Sequence, residues 1–111
     1  MIFYGWGRKL SGFRAILLAK VFNSKFVLRE DGFIRSCGLG DSPSFSLVED
    51  DIGIYYDANK PSRLEELCKN YNFKDNKNLL KISQQAIYYI KKYQISKYNN
   101  FENIKGDYFR N

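Results

Sequence analysis

The sequence contains no histidine, only two cysteines and only two prolines in 111 residues. Without histidine, the chain cannot form a Ser-His or Cys-His catalytic arrangement, and a zinc site is excluded as well. Cys37 and Cys68 lie far apart and in no metal-binding spacing, which is typical of reduced thiols in a cytosolic protein. No segment reaches the roughly 18 apolar residues of a membrane-spanning helix. The N-terminus lacks the features of a signal peptide. These absences predict a cytoplasmic protein without a metal or other cofactor.

The composition is that of one folded domain. Hydrophobic residues make up 44% of the chain and aromatic residues 17%, which argues against a disordered chain. The net charge of +6 is uneven: residues 1–60 carry eight basic and seven acidic groups, whereas residues 61–111 carry ten and five. A basic excess can attract nucleic acid or the inner leaflet of a membrane. Because the lysines are dispersed, we favour a solvated surface.

The spacing of apolar residues predicts an α/β fold with a small, Rossmann-like, mainly parallel sheet flanked by helices. The predicted elements are strands at 2–4, 26–29 and 45–48, and helices at about 12–22, 62–70 and 77–93. The first strand, helix and second strand form a βαβ unit. Ser11 is a candidate cap of the first helix, and Ser62 with Glu65 fits a capping box. We expect residues 1–100 to form this unit and residues 101–111 to be a loosely held tail.

The candidate binding residues come directly after the first two strands. Trp6 and Arg8 follow the first strand, and Glu30, Asp31 and Arg35 follow the second. Since parallel strands present their carboxyl ends at one edge, we expect the two groups to be neighbours. The two carboxylates can accept hydrogen bonds from sugar hydroxyls, and an arginine can bind a sugar carboxylate through two parallel bonds. Alternatively, Arg35 pairs with Glu30 or Asp31 and fixes the loop.

Two other patterns are weaker indications of a site. The turn GWG is neither a dinucleotide fingerprint nor a phosphate-binding loop, so Gly5 and Gly7 can simply permit the turn while Trp6 packs beside it. Three consecutive acids, Glu49-Asp50-Asp51, point in different directions along the chain. We therefore expect a solvated turn there rather than a metal site.

Five motifs resemble a family of bacterial capsule polysaccharide biosynthesis and export proteins. They are GWGRK at 5–9, EDGFIRSCGLG at 30–40, SLVEDDIGIYYD at 46–57, PSRLEEL at 61–67 and ISKYN at 95–99. The family is similar to retaining β-Kdo transferases, which use CMP-Kdo to build the linker between lipid and capsule polymer. The resemblance implies a GT-B-like fold whose N-terminal, Rossmann-like half faces the acceptor. It places Glu30, Asp31 and Arg35 towards a lipid-linked saccharide acceptor, with Trp6 and Arg8 nearby. It also implies a peripheral contact with the inner face of the inner membrane.

The chain departs from that family in length and in composition. The family module is as long as about two ordinary domains, and its histidine-proline motif, associated with the nucleotide, is absent here. The family's catalytic aspartate corresponds to a position beyond residue 111, so no catalytic residue is assigned. We expect a truncated and inactive copy. The alternative is a small basic protein that binds nucleic acid or a protein partner, suggested by alternating lysine and tyrosine at 88–98. No recognisable nucleic-acid-binding module supports nucleic acid as a partner.

Overall fold

The computed structural model describes residues 1–37 and 43–99. Its elements, in chain order, are β1 (Ile2–Trp6), α1 (Leu10–Val21), β2 (Lys25–Asp31), β3 (Leu47–Asp50), α2 (Arg63–Asn70), a short 3-10 helix (Phe73–Asp75) and α3 (Lys77–Lys92). The three predicted strands and three predicted helices are confirmed, although β3 begins two residues later than expected. The short 3-10 helix lies between the second and third predicted helices and was not among the predicted elements. The predicted tail at 101–111 lies outside the described residues.

The strands form one sheet in the order β1-β2-β3. β1 and β2 are parallel, with Ile2 opposite Lys25 and Trp6 opposite Arg29, so the predicted βαβ unit is confirmed. β3 runs antiparallel to β2, with Asp31 opposite Leu47. The sheet is therefore mixed rather than mainly parallel. A parallel return would require a crossover connection, usually a helix, and the described part of the β2–β3 connection contains none.

Helix α1 packs on the sheet through small residues. Gly12, Ala15 and Ala19 are its buried positions. A Cβ added to Gly12 would lie only 3.0 Å from the carbonyl oxygen of Trp6, so glycine allows the helix backbone to approach β1 directly. The helix begins at Leu10, and the predicted cap by Ser11 is wrong because Ser11 is already inside the first turn. Its Oγ instead accepts a hydrogen bond from the backbone N–H of Trp6 at 3.0 Å.

The second half of the chain is more open. The predicted capping box at the start of α2 is confirmed: the backbone N–H of Glu65 donates to Ser62 Oγ at 3.2 Å, and that of Ser62 donates to Glu65 Oε2 at 2.9 Å. Helix α3 packs against the 3-10 helix and contains no buried residue. Its apolar side is consequently open to solvent. Among the described residues, no helix has both the length and the apolar character needed to cross a membrane.

Candidate functional site

The turn after β1 is held against the end of β2. The backbone N–H of Gly7 donates to the carbonyl of Arg29 at 2.8 Å. Gly7 adopts a φ of +39°, in the left-handed region where side chains are strained. A Cβ at this position would also run into the Glu30 carboxylate and the Tyr56 hydroxyl. Glycine at position 7 therefore lets the turn reach the end of the neighbouring strand, and the predicted proximity of the two groups is confirmed for Glu30.

Four side chains meet at this edge of the sheet, and we call them the edge cluster: Arg8, Glu30, Tyr56 and Asp57. The backbone N–H of Arg8 donates to Tyr56 Oη at 3.1 Å, and the Tyr56 hydroxyl donates to Glu30 Oε2 at 3.3 Å. The Arg8 guanidinium forms an ion pair with Asp57. Burial raises the pKa of Tyr56, and the charge of Glu30 raises it further against the opposing effect of Arg8. The hydroxyl therefore stays protonated and remains a hydrogen-bond donor.

Sequence reasoning assigned no role to Tyr56 and Asp57. Both stand in IYYD at 54–57, a short apolar piece closed by an acid, whose first residue, Ile54, is fully buried. A polar pair directly after a buried apolar run was the available indication. In the structure Ile54 lies outside the strands, and Tyr56 and Asp57 reach the site through contacts with residues distant in sequence.

The other predicted pair lies apart from the edge cluster. Arg35 Nε is 2.8 Å from Asp31 Oδ2, and the two side chains are only 14% and 25% exposed. Successive residues of a strand point to opposite sides of a sheet, so Asp31 and Glu30 face different ways. The alternative in which Arg35 pairs internally is thus realised with Asp31. Trp6 is the last residue of β1 and is paired with Arg29, so its side chain faces the opposite side of the sheet from Glu30. Lys9 Nζ lies 6.0 Å from the centre of its ring.

The SKYN motif supports the loop that carries Arg35. Ser36 and Tyr98 form a parallel bridge, and the backbone N–H of Arg35 donates to the carbonyl of Lys97 at 2.8 Å. The backbone N–H of Asn99 donates to the carbonyl of Ser36 at 2.7 Å. Two motifs that lie some sixty residues apart in sequence therefore meet in the fold. Ser36 is fully buried at this junction.

The three consecutive acids do point in different directions, as expected, but they do not form a solvated turn. Asp50 is only 2% exposed. Its carboxylate accepts the backbone N–H groups of Ile52, Gly53 and Arg63 at 2.8–2.9 Å. Asp51 forms an ion pair with Arg63, and this hydrogen-bonded guanidinium lowers the pKa of Asp51. Asp50 therefore ties the end of β3 to the N-terminus of α2. In the described part of the chain, no group of three metal-binding side chains is present.

Comparison with known proteins identifies the family. The family model described as "Capsule polysaccharide biosynthesis protein" matches residues 3–110 of this chain. The chain belongs to this family. A curated relative, the capsule polysaccharide modification protein LipA of Neisseria meningitidis serogroup B, is 40% identical over 106 residues. That match covers 94% of this chain but only 15% of LipA, so the chain spans a small part of the relative's length.

Two solved structures share the fold. The β-Kdo 2,4 transferase of Thermosulfurimonas dismutans KpsC is 34% identical, with a TM-score of 0.76 over 96% of this chain and 34% of that one. The β-Kdo 2,7 transferase of the same protein gives a TM-score of 0.57 over 84% of this chain and 29% of that one. The chain thus resembles the N-terminal part of a GT-B-like Kdo transferase. The alternative of an unrelated basic binding protein is not favoured.

Proposed function

We propose that the chain forms the acceptor-binding part of a β-Kdo transferase in capsule polysaccharide biosynthesis. In this proposal CMP-Kdo is the donor and a lipid-linked saccharide is the acceptor, and the protein works at the cytoplasmic face of the inner membrane. The observation that carries it is the likeness to the β-Kdo 2,4 transferase, 34% identical over 96% of this chain. The edge cluster lies at the carboxyl end of β2 and beside the turn that follows β1, where α/β sheets bind ligands.

Within the edge cluster, Glu30 has the best geometry for contact with a sugar. Its Oε2 accepts the Tyr56 hydroxyl, which orients the carboxylate, while Oε1 can accept a hydroxyl of the acceptor. Arg8 is paired with Asp57, so its charge is compensated inside the protein. Trp6 is paired with Arg29, so its side chain faces the opposite side of the sheet from Glu30, and we assign it no contact with this sugar.

Arg35 would bind the carboxylate of a Kdo unit only in competition with Asp31. The ion pair between them is half-buried, so if Arg35 left it, the Asp31 carboxylate would remain unpaired where water solvates it poorly. We therefore propose that Arg35 and Asp31 act mainly by fixing the loop after β2, and that Glu30 makes the more direct contact with the acceptor.

The chemical step requires more than an acceptor site. A retaining transferase needs a donor site and a group that stabilises or attacks the anomeric carbon. The chain spans about a third of the β-Kdo 2,4 transferase. The edge cluster can hold a hydroxyl-bearing ligand, but without a donor opposite, positioning gives little acceleration. We propose that these 111 residues alone bind the acceptor and do not transfer Kdo.

The test compares the purified chain with a chimaera in which it replaces the matched segment of the T. dismutans β-Kdo 2,4 transferase. Both are incubated with CMP-Kdo and a Kdo-terminated lipid acceptor. We expect product from the chimaera alone. Glu30→Gln in the chimaera should raise KM for the acceptor about tenfold, the value of one lost hydrogen bond to a charged group.

The matched control is Glu49→Gln, which removes an exposed carboxylate on β3 outside the edge cluster. It should leave KM unchanged. Product from the 111 residues alone would refute the assignment of an acceptor-binding part. An active chimaera with an unaltered KM after Glu30→Gln would refute the site.

A further inference from the structure

Helix α3 carries a line of apolar and aromatic side chains that is open to solvent. They recur at alternating intervals of three and four residues, and we call them the seam: Leu79, Ile82, Ala86, Tyr89 and the C-cap residue Tyr93. At 100° per residue they lie within about 40° of one line along the helix. The helix contains no buried residue, and its main neighbour among the described elements is the 3-10 helix. The described part of the chain therefore leaves the seam largely uncovered.

The charges of α3 lie on its other side. The helix contains no acid, and each of its lysines lies at least about 100° from the centre of the seam: Lys77, Lys81, Lys91 and Lys92. Lys92 is at the rim, with its Nζ 5.4 Å from the centre of the Tyr93 ring. Alternation of three and four is the spacing at which two helices pack side by side along their apolar lines. Two seams can therefore meet while every lysine of α3 stays in solvent.

One end of the seam opens into an apolar groove between α2 and the 3-10 helix. Leu79 forms part of its wall, together with residues of α2 and of the segment that follows it: Leu64, Leu67, Cys68, Tyr71 and Phe73. The groove has a volume of about 350 Å³, which is large enough for one aromatic side chain. Tyr93 is more than half exposed and lies at the other end of the seam, about 21 Å away along the helix axis. The seam thus has an aromatic side chain at one end and an apolar recess at the other.

We propose that the seam and the groove join two copies of this chain in a symmetric antiparallel dimer. In a twofold contact both copies use the same surface. Antiparallel packing of the two α3 helices places Tyr93 of each copy at the groove of the other, while the small Ala86 near the middle lets the helices approach closely. Tyr93 is already stacked on Tyr89, with ring centres 6.1 Å apart and 10° between the ring planes, so its ordering costs little on association.

The exposed area on this side of the molecule is that of a modest interface. The large apolar side chains of the seam, of the groove and of the neighbouring Ile90 are each 37–54% exposed. At about 150–250 Å² for a large side chain, they expose roughly 800 Å² in each copy. Covering about three-quarters of this area in both copies would bury about 1,200 Å², the lower end of the range for stable, specific contacts. We therefore expect a dimer that dissociates on dilution.

Light scattering and sedimentation of the full 111-residue chain over a range of concentrations test the proposal. We expect a reversible change from monomer to dimer, with the amides of α3 becoming more protected from hydrogen exchange over the same range. Ile82→Glu places a carboxylate in the seam of both copies and should raise the dissociation constant at least about thirtyfold. Tyr93→Ala, which empties the groove, should raise it at least about tenfold. Both positions are about half exposed, so circular dichroism should show an unchanged helix content.

Two matched controls place the same charge elsewhere. Gln84→Glu puts a carboxylate on the side of α3 opposite the seam, and Leu17→Glu puts one at an exposed apolar position of α1. Both should leave the dissociation constant within about twofold of its original value. The proposal does not depend on the acceptor-binding function, because dimer formation is measured without any saccharide.

A disulfide tests the antiparallel arrangement. Cys68 lies in the groove, and Cys37→Ser leaves it as the one native thiol of the chain. In that background Tyr93→Cys should form an intermolecular disulfide under mild oxidation, because antiparallel packing brings position 93 of one copy to Cys68 of the other. Within one copy position 93 lies at the far end of α3 from the groove, which is too far for a disulfide. Gln84→Cys in the same background should not cross-link.

The proposal fails if the chain is a monomer at every concentration. A monomer whose α3 is protected from exchange only within the chimaera described above would assign the seam to another segment of a transferase. A dimer that Gln84→Glu or Leu17→Glu dissociates as readily as Ile82→Glu would place the contact elsewhere. A dimer that forms no disulfide between position 93 and Cys68 would exclude the antiparallel arrangement.

Discussion

Replacing Asp50 should be far more damaging than replacing its neighbour Asp51. Asp50 is buried, and its carboxylate accepts three backbone N–H groups, from Ile52, Gly53 and the first residue of α2. Asp50→Ala leaves these donors without an acceptor and opens the junction between β3 and α2. Asp51 has an exposed side chain and makes only a surface ion pair. The two substitutions therefore remove neighbouring carboxylates that lie in very different environments.

The cost of Asp50→Ala follows from the three lost hydrogen bonds. At about 1 kcal/mol for each amide that loses a charged acceptor, the free energy of unfolding falls by about 3 kcal/mol. This is about a third of the stability of a domain at ~10 kcal/mol. For a chain of this length it corresponds to a fall in Tm of about 13 °C. Asp51→Ala should cost less than about 1 kcal/mol, since exposed ion pairs contribute little.

Urea denaturation followed by far-ultraviolet circular dichroism measures both variants on the same scale. We expect a lower midpoint for Asp50→Ala with an unchanged m value, and hydrogen exchange should show lost protection at the start of α2. Free energies of unfolding for the two variants within about 1 kcal/mol of each other would refute the reasoning. Such a result would mean that water replaces the carboxylate at the junction without appreciable cost.

Three further substitutions test the edge cluster. Gly7→Ala should destabilise by about 2 kcal/mol, because the new Cβ meets two side chains at a positive φ; unfolding in urea measures it. Tyr56→Phe should reduce the loss of stability above pH 10.0. The pKa of Tyr56 is raised above 10.0 in the folded state, so the stability contributed by its protonated hydroxyl is fully present below pH 10.0 and is lost as pH rises through the folded-state pKa. Thermal unfolding of both proteins across that range tests this, and parallel curves would contradict it. Asp57→Asn should cost about 2 kcal/mol by leaving Arg8 half-buried and unpaired, whereas Glu49→Gln in an exposed pair should cost under 1 kcal/mol; equal losses in urea would contradict the difference.

Local patterns were sufficient for most elements of the fold. The apolar periodicity of α1 and α3 and the capping box at Ser62 depend on residues within a few positions of one another, so the sequence could predict them. The direction of β3 could not be predicted in this way. The direction of β3 depends on whether the connection after β2 crosses over the sheet, which gives a parallel strand, or turns back directly, which gives an antiparallel one. The residues of this connection do not indicate which of the two occurs.

The candidate site was predictable only in part. Glu30 and Arg8 were recognised because each follows a predicted strand of the βαβ unit. Glu30 belongs to the edge cluster and Asp31 does not, because the two side chains face opposite sides of the sheet. Tyr56 enters the edge cluster through contacts with residues 26 and 48 positions away in the sequence. Contacts at such separations are properties of the folded chain.

Several residues of the shared motifs are engaged in building the fold and are therefore not available for contact with a substrate. Asp50 is saturated by backbone amides, Asn99 supports the loop at Ser36, and Gly7 allows the turn to approach β2. The motifs at 5–9, 30–40 and 46–57 meet at the edge cluster, where Tyr56 joins all three. Because one hydroxyl links these segments, a shift of any one of them moves the Glu30 carboxylate. If Glu30 contacts the acceptor as proposed, its position would depend on the Tyr56 hydroxyl and on the turn at Gly7, so substitutions at these two residues should alter KM for the acceptor.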